Sequence, residues 1–145
     1  MSTQVSLSIK LSRRGNNVLS SVQIIQILVN NGWNLTNNGK TLYLPLGDKD
    51  DFNWQEEFLT TIDFFDLVKR KEQSNEIIGV GLYWDGTEIG GTLLLHQDHN
   101  ISFSVSINRK ILFGNITDVN WYLERILPCL ETDAMIIEHF SFSQI

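Results

Sequence analysis

Hydrophobic and polar residues alternate with a period of two near the start of the chain, where Val5, Leu7, Ile9 and Leu11 interleave with Ser6, Ser8, Lys10 and Ser12. Successive side chains of a strand point to opposite faces, so the alternation, which serine and aliphatics continue over Met1–Leu11, predicts one dry and one wet face. Arg13-Arg14-Gly15-Asn16-Asn17 supplies a turn, and Ser20 or Ser21 caps a predicted helix with Val22, Ile25, Leu28 and Val29 on one stripe. Asn30-Asn31-Gly32 ends that helix, because these residues tolerate the left-handed conformation. Leu35–Gly39 reads as a polar turn. Thr41–Leu46 predicts a second strand, in which Pro45 has no amide hydrogen to give to a ladder. That places the strand at a sheet edge and argues against sheet-to-sheet dimerisation there.

Beyond an acidic loop at Gly47–Asp51, two helix starts compete, Asn53 with Glu56 and Thr60 with Asp63, and the second leads better into the helical stripe after it. Ile62, Phe65 and Val68 recur at helical spacing, Phe58 and Leu59 extend the stripe backwards, and Lys69, Arg70 and Lys71 complement the dipole of the last turn. Ile77–Trp84, Glu88–Gln97 and Ile101–Asn108 are three strand-like runs joined by hairpin turns at Asp85-Gly86-Thr87 and Asp98-His99-Asn100. Thr117 or Asp118 caps a last helix with Val119, Tyr122, Leu123, Ile126, Leu127 and Leu130 on its apolar side, which Pro128 is expected to kink or shorten. Ala134–Phe142 is the final strand. The resulting fold class is α+β: a two-layer sandwich of one mainly antiparallel sheet with helices on one face, in the order β-α-β-α-β-β-β-α-β. No repeat or linker divides it, so 1–145 reads as one domain.

Composition narrows the function. A chain of 145 residues with 42% hydrophobic and 19% charged side chains is ordinary for one soluble domain. It has no run of the roughly 18 apolar residues that a membrane helix needs, and its start lacks the basic and apolar regions of an export signal. Cys129 is the single cysteine, which excludes an internal disulfide and a cysteine-rich metal site, and the expected location is a reducing cytoplasm. With 17 acidic against 11 basic residues the net charge is −6, the wrong sign for a nucleic-acid binder. No membrane, nucleic-acid or cofactor partner is expected, and oligomeric state is open.

The imbalance is concentrated. Asp48, Asp50, Asp51, Glu56, Glu57, Asp63 and Asp66 face only Lys49 within 48–66, a local charge of −6 that equals that of the whole chain. One reading is a docking surface for a basic partner, with Trp54 as an aromatic anchor among the charges; the other is a solvated loop and helix face. Asp48-Lys49-Asp50-Asp51 lacks the alternating ligands and glycine of a calcium loop. His96 and His99 flank a turn without further ligands at metal spacing. Cys129, on the apolar side of a helix, reads as core and not as a nucleophile. Gly79 and Gly81 sit inside a strand, where they bare one face for a helix or backbone to approach, and Gly90-Gly91 does the same or marks a bulge. Arg109-Lys110 ends the serine-rich strand and could bind an anion or pair with a carboxylate at the core edge, and in so acidic a chain the pairing is the expected one. The serine face at Ser102, Ser104 and Ser106 must meet water or a partner.

Two segments then read together, "NEIIGVGLYWDGTEIGGTLLLHQDHNISFSVSINRK" at 75–110 and "ITDVNWYLERILPCLE" at 116–131. With Trp54, the Glu88-Ile89-Gly90-Gly91 turn, Ser106-Ile107-Asn108-Arg109-Lys110 and Trp121-Tyr122-Leu123, they resemble small bacterial immunity proteins that accompany polymorphic toxins, including those of contact-dependent growth inhibition. The resemblance covers about a third of the chain. It implies a cytoplasmic, non-enzymatic protein that binds and neutralises a cognate toxin domain. A basic nuclease as that toxin would suit binding through Asp48, Asp50, Asp51, Trp54, Glu56, Glu57 and Asp63. The competing classes are an interaction adaptor without a toxin and a small thiol-dependent enzyme.

Overall fold

The opening alternation becomes β1 (Val5–Arg13), whose Val5, Leu7, Ile9 and Leu11 are buried. The computed structural model describes residues 3–145; Met1 and Ser2, part of the predicted alternation, lie outside the described residues. Next along the chain are α1 (Ser21–Asn30), β2 (Trp33–Asn34), β3 (Thr36–Asn37), β4 (Lys40–Tyr43), β5 (Gln55–Glu57) and α2 (Thr61–Gln73). The chain continues through β6 (Ile78–Trp84), β7 (Gly90–Leu95), β8 (Asn100–Ile107), β9 (Ile111–Phe113), β10 (Ile116–Thr117), α3 (Val119–Leu130) and β11 (Met135–Gln144). The predicted order is present, with the short strands β2, β3, β5, β9 and β10 added to it.

The main sheet is antiparallel in every pairing and runs β11-β1-β8-β7-β6-β4-β3, with β2 beside β6 and β5 beside β4. Register carries one apolar face across it: Leu7 lies opposite Phe103, Phe103 opposite Leu93, and Leu93 opposite Val80. Ile24, Ile25 and Leu28 of α1, Phe64 and Val68 of α2, and Tyr122, Ile126 and Leu130 of α3 join these residues in one core, so all three helices cover the same face. Trp33 is fully buried there, donating its indole N–H to the Arg125 carbonyl at 3.0 Å and meeting Trp84, Phe103 and Trp121 edge-on. On the opposite face, register aligns Ser141, Ser8 and Ser102 in one row and Ser143, Ser6 and Ser104 in the next.

Local signals set the helices. Ser20 accepts from the Gln23 amide while the Gln23 side chain accepts from the Ser20 amide, a reciprocal cap that satisfies two otherwise orphaned donors. Glu72 of α2 accepts from the Ser21 amide at 2.7 Å, placing a carboxylate at the positive end of α1 and tying the two helices together.

Of the two competing helix starts the favoured one, Thr60, begins α2, and the residues after Asn53 form β5. Other expectations are corrected. The buried stripe of α2 is Phe64, Val68 and Lys71, whereas Ile62 is 82% exposed. The adjacent Phe64 and Phe65 allow either helical phase, and the phase chosen is the one that buries Lys71 among acceptors. The β4 strand is not at the edge: Thr41 pairs with both Thr36 and Glu57, and Tyr43 with both Val80 and Gln55, so β5 forms the margin outside it. Pro45 lies beyond the end of β4 and is never asked to donate. The polar turn at 35–39 contains β3 and its hairpin into β4. Pro128 lies inside α3, which ends two residues later at Leu130, the last residue of the predicted apolar set.

Candidate functional site

The segment Pro45–Asn53 that leads into β5 has no periodic pattern, and its shape comes from buried polar groups. Lys71, 1% exposed, reaches out of α2 to donate to the carbonyls of Pro45 at 2.6 Å and Asp48 at 2.9 Å and to pair with Glu76 at 3.2 Å. Glu76 in turn accepts from the Gly47 amide at 2.7 Å. Gly47 has φ +93°, a backbone that costs a side-chain-bearing residue dearly, so glycine allows the tight bend.

Asp48 completes the frame. It is 5% exposed, and its carboxylate accepts from the amides of Asp51 at 3.0 Å, Phe52 at 3.1 Å and Asn53 at 2.7 Å. Burial alone would raise this carboxyl, but those three amides and the Lys71 ammonium outweigh it and hold Asp48 below the usual carboxylate range. Phe52 is thereby kept at φ +55°, left-handed for a non-glycine residue, with its ring 44% exposed. Non-glycine residues hold such a conformation when their surroundings over-determine it, as the Asp48 hydrogen bonds do here.

The next strand presents the charge. Gln55, Glu56 and Glu57 are all exposed at the sheet margin. Glu57 accepts from the Tyr43 hydroxyl at 2.9 Å, and burial together with this carboxylate raises the Tyr43 phenol. Glu56 lies on the other face, near Tyr83, whose phenol is raised by burial and then by Glu56. Asp50, Asp51, Glu56 and Asp63 are exposed and form no salt bridge among the described residues, whereas Asp66 pairs with Arg70 at 3.0 Å.

The seven predicted site residues therefore divide. Asp50, Asp51, Glu56, Glu57 and Asp63 are on the surface along one margin. Asp48 is not a surface contact, because its carboxylate is spent on the loop's own amides. Trp54 is half-buried, its indole filling the space that Gly79 leaves: a Cβ on Gly79 would stand 2.7 Å from both the Trp54 ring and Leu44. Gly81 likewise makes room for Leu42 and Tyr83, so these glycines admit side chains and not a helix or a backbone. Gly90-Gly91 does mark a bulge, where Gly90 and Thr92 pair with Ile107 and Ser104.

Four residues escaped the pattern. Leu46, Phe52, Phe58 and Ile62 are 48%, 44%, 73% and 82% exposed, which intersperses apolar side chains with the carboxylates. Phe52 directly follows Asp51 and fits neither a helical nor an alternating apolar face, the one signal available in the sequence, whereas Phe58 and Ile62 read as part of the helical stripe. A second apolar surface also went unread: the β9–β10 hairpin exposes Ile111, Leu112, Phe113 and Ile116. Arg109 ties the base of that hairpin to Asn115 and Thr117, not to the expected carboxylate.

The other candidates are structural in their contacts. His99 turns the β7–β8 hairpin at φ +64°, and among the described residues no three His, Cys, Asp or Glu side chains are placed to hold a metal. Cys129 is half-buried, and burial pushes its thiol up to about 11, away from the thiolate a nucleophile requires. No helix among the described residues is long and apolar enough to cross a membrane. Comparison with protein-family models, curated proteins and solved structures gave no match to this chain.

Proposed function

We propose that the protein is a cytoplasmic immunity protein that binds and neutralises a cognate bacterial toxin domain, a basic nuclease, through the acidic margin formed by the 45–53 loop, β5 and the start of α2. The observation that carries this reading is a surface with two properties at once. Asp50, Asp51, Glu56, Glu57 and Asp63 give it a strong net negative charge, with Lys49 in the loop and Lys40 over the Phe58 ring as the cations beside them, and the exposed Phe52, Phe58 and Ile62 give it apolar contact area. A merely solvating face has no use for the second property.

Its loop is also held in place before any partner arrives. Lys71, Asp48 and Glu76 fix the main chain that bears Asp50, Asp51 and Phe52, which lowers the ordering cost of association. Opposite charge accelerates encounter with a cationic target and disfavours other partners, while the aromatic side chains slow release. No bond is made or broken by this chain in the process. Carboxylates on both faces of this margin would compete with a phosphate chain for the cleft of a nuclease.

The reading predicts a toxin gene immediately upstream, and the test titrates the C-terminal domain of that toxin with this chain at low and high salt. The quadruple change Asp50→Asn, Asp51→Asn, Glu56→Gln, Glu57→Gln is expected to weaken binding at low salt by tenfold or more and to flatten the salt dependence. Phe58→Ala is expected to speed dissociation with little change in salt dependence. Unchanged affinity and salt response in both variants would overturn the assignment. If Ser102→Lys with Ser104→Lys abolishes binding instead, the serine face is the interface.

A further inference from the structure

The two margins of the sheet are built differently. At one, β5 has three residues and two of them are glutamates, short and charged, which are the ordinary safeguards against unwanted strand pairing. At the other, β11 has ten residues, and among the described residues no strand pairs with its outer side.

Half of that outer side is protected. The Ile137 amide donates to the Glu131 carboxylate at 2.8 Å, and the register shift against Lys10 and Leu11 makes Glu138 a bulge. From His139 to Ile145 the protection ends: the sequence HFSFSQI carries no Asp, Glu, Lys or Arg, and Phe140 is 47% exposed.

The direction of the free hydrogen-bonding groups is set by the ladder. Gln4 and Ile145 exchange both amide bonds, at 2.8 and 2.9 Å, so Ile145 faces β1. Antiparallel pairs alternate, so Ser143 and Ser141 also direct their N–H and C=O groups to β1, while Gln144, Phe142 and Phe140 direct theirs outward.

We infer that this half of β11 pairs antiparallel with β11 of a second copy of the chain, about a two-fold axis through Ser141. Ser141 then faces Ser141 of the other copy as a non-hydrogen-bonded pair. Phe140 faces Phe142 of the other copy as a hydrogen-bonded pair, twice by symmetry, which satisfies four outward main-chain donors.

The side chains agree with this register. Phe140 and Phe142 lie on the helix face, opposite Ile9 and Leu7, and Phe142 already packs against Tyr122, so each exposed Phe140 gains an aromatic neighbour across the axis. The serine rows continue from one sheet into the next with no charge to desolvate. The two-fold is perpendicular to the sheet, so both helix layers stay on one side and both acidic margins remain free at the far ends. Such an edge pairing, with few side chains meeting across it, belongs with small, transient interfaces, and dissociation in the micromolar range or weaker is expected.

Light scattering and sedimentation on the whole chain across micromolar to near-millimolar concentration test the inference. The expected result is a reversible rise to twice the 16.6 kDa chain mass. Ser141→Asp places like charges directly opposite and is expected to weaken the dimer at least tenfold with an unchanged melting temperature. On oxidation in a Cys129→Ala background, Ser141→Cys is expected to cross-link across the axis, where opposed Cα atoms stand about 4.5 Å apart, and Ser143→Cys is not. A monomer throughout the range, or a dimer indifferent to Ser141→Asp with no Ser141→Cys cross-link, would overturn it. Should Ser141→Asp fail to fold, the two cysteine variants decide.

Discussion

Replacing Lys71 by methionine removes the ammonium that holds the acidic loop and keeps most of the side-chain stem that packs beneath it. In the wild type this ammonium makes three hydrogen bonds, to Pro45, Asp48 and Glu76, at 2.6, 2.9 and 3.2 Å. Hydrogen bonds to charged groups contribute about 1.5–3 kcal/mol each. Against that stands a desolvation penalty of several kcal/mol for an ammonium that is almost fully enclosed. The net worth of the group is therefore smaller than the sum of its bonds.

Its loss is larger than that net worth, because Glu76 stays behind as a buried carboxylate whose remaining partner is the Gly47 amide. Breaking one side of a buried ion pair costs about 3–5 kcal/mol. A domain holds about 5–15 kcal/mol in total, and at this chain length the melting temperature should fall by on the order of 10 °C. Denaturant unfolding followed by tryptophan fluorescence, with a thermal melt, measures both. The double variant Lys71→Met with Glu76→Gln removes the orphaned charge and keeps an acceptor for Gly47, so it is expected to recover at least half of the loss. A single variant within about 1 kcal/mol of wild type, far below the cost of a broken buried pair, would refute the reasoning. A double variant no better than the single would show that the carbonyl contacts, and not the ion pair, carry the energy.

Three further outcomes rest on the same geometry. The Asp48 carboxyl is held below the unfolded value of about 3.9, so its contribution is complete above that pH and is lost as pH falls through the lower folded value; the stability gap between wild type and Asp48→Asn should narrow below about pH 4, and a constant gap from pH 7 to 2 would contradict this. Gly91→Ala sets a Cβ 2.1 Å from the Ser104 carbonyl oxygen, which only main-chain movement relieves, whereas Gly79→Ala presses on side chains and should cost about 1–3 kcal/mol while altering Trp54 emission; equal stabilities would count against the bulge geometry. With its thiol near 11, Cys129 should react with iodoacetamide at pH 8 about a hundredfold more slowly than an unperturbed cysteine and accelerate with rising pH, and alkylation at the free-thiol rate would show that it is not enclosed as described.

How far the molecule is legible in its sequence depends on whether one periodic face decides a residue's environment. For β1 and β8 it does: serine and aliphatic positions alternate, and burial tracks them residue by residue. In α1 the reciprocal Ser20–Gln23 cap and the aliphatic stripe point the same way. The pattern fails in α2, where adjacent phenylalanines fit two phases, and the deciding group is a lysine that reads as an ordinary last-turn cation until its two carbonyl acceptors are assembled from residues more than twenty positions away. It fails again in β5, since three exposed polar residues at a sheet margin have no dry face to announce them. Asp48 and Asp50 are alike in sequence and opposite in role. Only the former meets three amides of its own loop, a relation between positions and not a property of the residue.

The tie between loop and helix separates shape from chemistry at the acidic margin. The contour of the loop is written by Asp48, Lys71 and Glu76, which touch no solvent to speak of, while Asp50, Asp51 and Phe52 merely ride on it. Substitutions at the riding side chains leave the contour standing, so on the proposed reading a lineage of such chains would exchange one target for another by altering a handful of tips, without refolding the scaffold each time.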